Sequence, residues 1–265
     1  MKPRHYLLLL ISISFAACST NMPTHDGPPR RNIDVSKIPN ATPHVEHRSK
    51  TVNPESYVVL GKRYHVLKSE LNYDKTGIAS WYGTKFNHHR TSDGEMYDML
   101  GMTAASKELP LPCYAKVTNL KNGRQVIVKV NDRGPFHENR IIDLSYTAAK
   151  KLGLVGHGTG LVRVTGIDPL HYQSASLPYD QSVSPHSQPK MYVQLGAYSQ
   201  RAHAQSYANT VSKQLHQQVV VKKKSIHQKT LYVAVIGPIA SQHNNDQLVS
   251  KLKKQHIQAM TVVMS

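Results

Sequence analysis

The chain has 265 residues, which is room for one large domain or two small ones. Its 33 Lys and Arg stand against 16 Asp and Glu, leaving a formal charge of +17. A surplus of that size draws the protein towards polyanions: nucleic acid, anionic lipid or a carboxylate-bearing wall polymer.

The first stretch narrows these partners. MKPRHYLLLLISISFAAC has a basic start (Lys2, Arg4), an apolar run from Tyr6 to Phe15, and small residues before Cys18. The run is too short to span a bilayer as a stable helix and reads as an export signal over residues 1–17. Ala16-Ala17-Cys18 resembles the lipobox of bacterial lipoproteins, which implies lipidation at Cys18 and a membrane anchor. Ser19, in place of an Asp, implies the outer membrane. An acylated Cys18 leaves Cys113 as the other cysteine, without an intrachain partner. Export also argues against nucleic acid as a partner.

Residues 18–54 are rich in Pro, Asn, His and Arg and read as a flexible tether. Residues 55–168 look mainly β. GIASWYG (77–83) is rich in strand formers, and CYAKVTNL and RQVIVKVN flank Lys121-Asn122-Gly123, whose Asn-Gly pair favours a tight hairpin. IIDL is a further strand; Ser145 can cap a short helix, YTAAKKL, that stops at Gly153; GTGLVRVTGI supplies a last strand. Several short strands with one small helix predict a closed barrel. Residues 169–189 form a polar, Pro- and Ser-rich linker.

Residues 190–265 read strand, helix, strand, strand, helix, strand, the order of a split βαβ, ferredoxin-like domain. Alternation along MYVQLGAY places Met191, Val193 and Leu195 towards helices at 201–215 and 241–254, with Tyr192, Gln194 and Tyr198 on the opposite face. Ten Lys and Arg face one acid here, Asp246.

The middle segment resembles the rare lipoprotein A family through GIASWYG, RTSDGEMYD, MTAAS, LPLPCYAKVTNLKNGR, VKVNDRGPF, and IIDLS followed by AAKKLG. The last segment resembles a SPOR domain through YVQLGAY and Ile236-Gly237-Pro238. The resemblance implies a double-psi β-barrel followed by a SPOR domain, in a lipoprotein of the division septum. It implies an endolytic lytic transglycosylase acting on peptide-stripped (denuded) peptidoglycan strands. That reaction leaves 1,6-anhydro-N-acetylmuramic acid ends, and it requires no cofactor.

Breaking a glycosidic bond needs a proton for the leaving oxygen and stabilisation of an oxocarbenium-like centre. In a transglycosylase the sugar's own 6-hydroxyl attacks, so one well-placed acid/base suffices. The candidates are Glu95, Asp98 and Asp132. Asp132 follows a strand and precedes the sharp turn Arg133-Gly134-Pro135; its spacing alone reads rather as a turn-capping Asp, whereas the resemblance implies an acid in the barrel groove. Glu95 and Asp98 read either as groove acids, as the resemblance implies, or as a solvated loop with Asp93. Arg133 reads as an orienter of a carboxylate or substrate carbonyl, or as one half of a structural ion pair. Trp81 and Tyr82 read as a sugar platform, with one of the two reserved for the core. Gln194 is the substrate-contacting candidate of the last segment. Adjacent His88 and His89 with no spaced Cys/His set give no metal site. The chain departs from the family at Ser106, where a histidine is usual, and a serine takes no proton near neutral pH. His88, His89 and His137 are the available substitutes. Two readings follow: a lytic transglycosylase, and a glycan-binding lipoprotein with weak or no catalysis.

Overall fold

The computed structural model describes residues 26–48, 50–137, 139–172, 190–226, 229–240 and 242–264. The expected signal, Cys18 and residues 173–189 of the expected linker lie outside the described residues.

A two-stranded hairpin, β1 (Ser56–Val59) and β2 (Lys62–His65), precedes six strands that close on themselves. These are β3 (Asp74–Tyr82), β4 (Thr103–Ser106), β5 (Cys113–Asn119), β6 (Gln125–Asp132), β7 (Arg140–Ser145) and β8 (Gly160–Ile167), in the order β3-β7-β4-β6-β5-β8. The pairs β3/β7 and β4/β6 are parallel and the other four antiparallel, a mixed, double-psi-like barrel. Alternation sends Val126, Val128 and Val130 of β6, Ile142 and Leu144 of β7, and Val162 and Val164 of β8 into one closed core. Helix α1 (Tyr146–Leu152) begins where the Ser145 hydroxyl accepts the Ala148 amide and ends at Gly153, whose φ of 78° only a glycine adopts cheaply.

Residues 26–54, expected as a tether, lie instead against the barrel wherever they are described. The Asp26 carboxylate accepts the amides of Gly83 and Lys85 at 3.0–3.1 Å. Val35 is buried with Tyr82, Tyr97, Met99, Ala105 and Tyr146 in a second, outer core. Lys150 holds Asn32 and the Ile33 carbonyl, the Ala41 amide donates to the Ile127 carbonyl, and Arg48 pairs with the buried Glu70. Composition misled here because the strap has few apolar anchors and is fixed by backbone and polar side-chain bonds.

The last segment is built as its pattern predicts: β9 (Lys190–Tyr198), α2 (Arg201–Leu215), β10 (Val220–Ile226), β11 (Lys229–Ile239), α3 (Gln242–Lys254) and β12 (Met260–Met264). The antiparallel sheet runs β10-β11-β9-β12, and Val193 and Leu195 pack with Ala208, Val211 and Leu252 of the helices. Tyr198 departs from expectation. A register shift between Gln194 and Gly196 inverts the alternation beyond it, and the Tyr198 ring lies 5.7 Å from Tyr207 of α2.

Glu70 is 3% exposed, so removing its Arg48 partner leaves a buried carboxylate uncompensated. Arg48→Ala is expected to destabilise the barrel by about 3 kcal/mol in denaturant titration, and adding Glu70→Gln should restore most of the loss.

Candidate active site

Three strand pairings assemble the site. Ser80 of β3 opposes Asp143 of β7, Asp143 opposes Ala105 of β4, and Ala105 opposes Asp132 of β6. The last pairing skips Asn131, so a bulge delivers Asp132 to the Ala105 side. Directly opposed residues share a sheet face, which puts Asp132, Ala105, Asp143 and Ser80 in one row on the outer face. At about 4.8 Å per strand the two aspartates are about 10 Å apart along the backbone, with only a methyl between them. Gly134 lies two residues after Asp132 with a φ of 139°, a backbone conformation that only a glycine adopts cheaply.

Asp132 is half-buried. Its Oδ1 accepts the Ser92 amide (2.8 Å), the Ser92 hydroxyl (2.6 Å) and the Arg133 amide (2.8 Å). Its Oδ2 receives no hydrogen bond from the described residues. The carboxyl is thus fixed at one oxygen and available at the other.

Glu95 lies on the neighbouring wall. Its Oε1 accepts Lys129 Nζ at 2.6 Å and its Oε2 accepts Asn131 Nδ2 at 2.8 Å. Lys129 also meets Glu46 of the strap at 2.9 Å, and Glu46 accepts the Tyr114 hydroxyl at 2.8 Å. Burial alone would raise the Glu46 pKa, but the bonds from Lys129 and Tyr114 outweigh it and hold the carboxyl below its ordinary range. Asp93, expected to be solvated, is half-buried; burial raises its pKa against the bond it accepts from the Thr91 hydroxyl at 2.7 Å. Asp98 stands apart: exposed, it accepts the Leu100 amide at 2.8 Å in a local turn.

The remaining expected residues have structural surroundings. Arg133 donates to the carbonyls of Leu109, Ser106 and Val52 and to Asn53 Oδ1, and its guanidinium lies 5.6 Å from the Tyr57 ring. These acceptors are backbone carbonyls and an amide, so it neither forms the ion pair considered nor has its fork free for substrate. Tyr82 is 8% exposed and stacks on Tyr97 at 4.2 Å, which removes its ring from any sugar platform. Trp81 is half-buried with its ring edge-on to Tyr146 at 5.8 Å. Ser106 is 1% exposed and opposes Ile142, so it points with the inward row, away from Ala105 and Asp143. Its hydroxyl accepts the Glu108 and Leu109 amides at 3.3 and 3.2 Å. His88, His89 and His137 are exposed. Gln194 is half-buried in β9, and Cys113 is buried with its thiol pushed far up by burial. Among the described residues no three His, Cys, Asp or Glu side chains are grouped to hold a metal.

One residue of the row was not singled out from sequence. Asp143 reads as a polar interruption in an apolar strand, yet it shares the outer face with Asp132 and accepts the Ser80 hydroxyl, which in turn accepts Arg140 Nη1 at 2.8 Å. Burial raises its pKa, against the opposing bond from Ser80. A buried acid kept towards its neutral form in the same row as Asp132 is a signal of function as well as of stability.

The architecture is that of a double-psi-like barrel with a row of carboxyl groups on its outer face, joined to a SPOR-like βαββαβ domain. A family model described as lytic transglycolase matches residues 74–165, and the SPOR domain model matches residues 187–262. The chain is 43% identical over 188 residues to the endolytic peptidoglycan transglycosylase RlpA of Neisseria meningitidis serogroup A, covering 71% of this chain and 74% of that one. It is 54% identical over 150 residues to the protein of the same name from Pseudomonas aeruginosa, covering 57% of this chain and 43% of that one. Against the Vibrio cholerae protein the figures are 48% over 165 residues, 61% and 62%. The chain belongs to the RlpA family, and it spans between two-fifths and two-thirds of the length of the Pseudomonas and Vibrio relatives.

Because burial raises the Asp143 pKa above 3.8, the folded protein holds a proton that the unfolded chain releases as pH rises. The stability cost is therefore present at neutral pH and vanishes below about the unfolded pKa. Asp143→Asn is expected to stabilise the fold at pH 7 and to be near neutral at pH 3.5, measured by denaturant unfolding at both values.

Proposed function

We propose that this chain is an endolytic lytic transglycosylase of denuded peptidoglycan strands, with Asp132 as its acid/base. The observation that carries the proposal is the Asp132 carboxyl, fixed by three donors at Oδ1 and without a hydrogen bond at Oδ2 among the described residues. A proton on Oδ2 passes to the leaving glycosidic oxygen as the bond breaks. The same oxygen then takes the proton of the sugar's 6-hydroxyl as that hydroxyl closes on the anomeric carbon, leaving the 1,6-anhydro end. The closure is intramolecular, and well-oriented cases reach effective molarities of about 10⁵ M or more, so no second carboxylate is needed to activate water. Glu95, held by Lys129 and Asn131, lies on the adjoining wall and contributes to charge stabilisation and positioning. Asp98 is assigned the loop that carries Glu95 rather than the chemistry.

The SPOR domain binds the same stripped glycan, with Gln194 among its contacts, and concentrates the enzyme at the septum. Lipidation at Cys18 anchors it to the periplasmic face of the outer membrane. The supports are the lipobox-like Ala16-Ala17-Cys18, the SPOR match and the printed names of the RlpA relatives.

A specific observation favours a second reading, a glycan-binding lipoprotein of low activity. Ser106 is buried and bonded to its own turn, and no imidazole lies within hydrogen-bond distance of Asp132, Glu95 or Asp143 among the described residues. Digestion of purified denuded glycan with mass analysis of its ends separates the two. The transglycosylase reading expects anhydro ends from the natural protein and a loss of about 10² to 10⁴ in rate for Asp132→Asn, with the melting temperature retained. Intact glycan that still binds the protein would support the second reading.

A further inference from the structure

Beside the carboxyl row lies a group of cations that the chemistry above does not use. Arg140, at the start of β7, spends Nη1 on the Ser80 hydroxyl, while its Nε–H is buried with no hydrogen-bond partner. Lys107, immediately after β4, is half-buried and donates to the Arg140 carbonyl at 2.5 Å. Lys62 of the hairpin is exposed, its ammonium 5.9 Å from the Tyr64 ring, and His137 is exposed one turn before Arg140. None of the four has a carboxylate within 4.0 Å among the described residues. The carboxyl groups they feel are Asp143, which acts on Arg140, Lys107 and His137, and Glu108, which acts on Lys107 and is already paired with Lys75. Burial lowers the Lys107 pKa, and the like charge of Lys62 lowers it further, so these ammonium groups are close enough to repel. Three basic side chains and a histidine thus stand against Asp143, with Glu108 shared with Lys75, and the local surplus of positive charge favours a ligand that brings its own anion.

The ligand must be a sugar chain that carries its own carboxylate. An aromatic wall stands beside the cations: Tyr57 stacks on Tyr64 at 5.5 Å, both flank Phe136 at 6.4 and 5.7 Å, and the Tyr57 hydroxyl donates to the Lys107 carbonyl. All three rings are half-buried, so part of each remains open to a sugar face. Muramic acid bears a lactyl carboxylate, which is free when the stem peptide has been removed and becomes a neutral amide when the peptide is attached. We propose that Arg140 and Lys107, with Lys62 at the rim, bind this free lactyl carboxylate and so make the barrel itself selective for stripped glycan. The inference rests on the glycan reading of the groove but not on turnover.

The test uses the full chain and two matched muramic-acid-containing tetrasaccharides, one with free lactyl carboxylates and one with each converted to the methylamide. Amide chemical shifts of Ser80, Lys107 and Arg140 follow binding at the barrel, separately from shifts in residues 190–264. The free acid should bind the barrel about ten- to a hundredfold more tightly than the amide, the range expected of charge-assisted hydrogen bonds. Lys107→Gln and Arg140→Gln should abolish that preference. Lys62→Gln, on an exposed strand and harmless to folding, should reduce it. Equal affinity for the two sugars, or a preference that survives both Lys107→Gln and Arg140→Gln, overturns the proposal. Absence of barrel shifts with either sugar overturns it together with the glycan reading of the groove, whereas barrel shifts without anhydro products contradict the catalytic reading alone.

Discussion

The groove depends on one guanidinium. Arg133 follows Asp132 directly, turns back under it, and donates to fixed acceptors on three separate segments: the strap at Val52 and Asn53, the exit of β4 at Ser106, and the following loop at Leu109. Asn53 also closes a two-way pair with the Leu111 backbone at 2.6 and 2.7 Å, so the acceptors are themselves held. A planar fork with five donors suits several carbonyls at once, which a lysine's single ammonium does not match. Burial lowers the pKa of this side chain, and a guanidinium keeps its charge in a protein. The turn that carries Asp132 therefore has no freedom to slide along the barrel wall, and the Ser92 and Arg133 amides stay aimed at Oδ1.

This arrangement makes the folded unit larger than the stretch a family model covers. The matched region begins at residue 74, yet Glu46 and Asn53 precede it and reach Lys129 and Arg133, which hold Glu95 and the Asp132 turn. Stability and chemistry are divided in space. The inward row of valines, leucines and isoleucines is unbroken by charge, whereas the costly features, a carboxyl raised by burial and a guanidinium with an unpaired N–H, lie on the outer face. Costs of that kind persist where a site needs them.

Much of this was legible in the sequence, and the limits have physical causes. The hairpin around Asn122-Gly123, the Ser145 cap and the Gly153 stop are local devices, and local devices read well. Strand β4 was not legible, because Thr103-Ala104-Ala105-Ser106 is short and lacks alternation; it becomes a strand only between β6 and β7, neighbours distant in sequence. The strap failed for the opposite reason, since its composition resembles that of a linker while its bonds are long-range. Asp132 and Glu95 could be named from their motifs, but Asp143 could not, because strand pairing alone places it in the same row as Asp132. Tyr198 shows the same limit on a smaller scale: alternation assigns faces correctly until a bulge, and the bulge leaves no mark in MYVQLGAY.

The dependence of the acid's turn on Arg133 can be measured without reference to turnover. Arg133→Lys keeps the charge and removes the fork, and hydrogen exchange at the Ser92 and Arg133-position amides reports directly on the bonds that fix Asp132 Oδ1. The account predicts that these two amides lose protection by at least about tenfold, roughly 1.4 kcal/mol, while the amides of the β5–β6 ladder keep theirs. Unchanged protection at both amides in the lysine variant would contradict it.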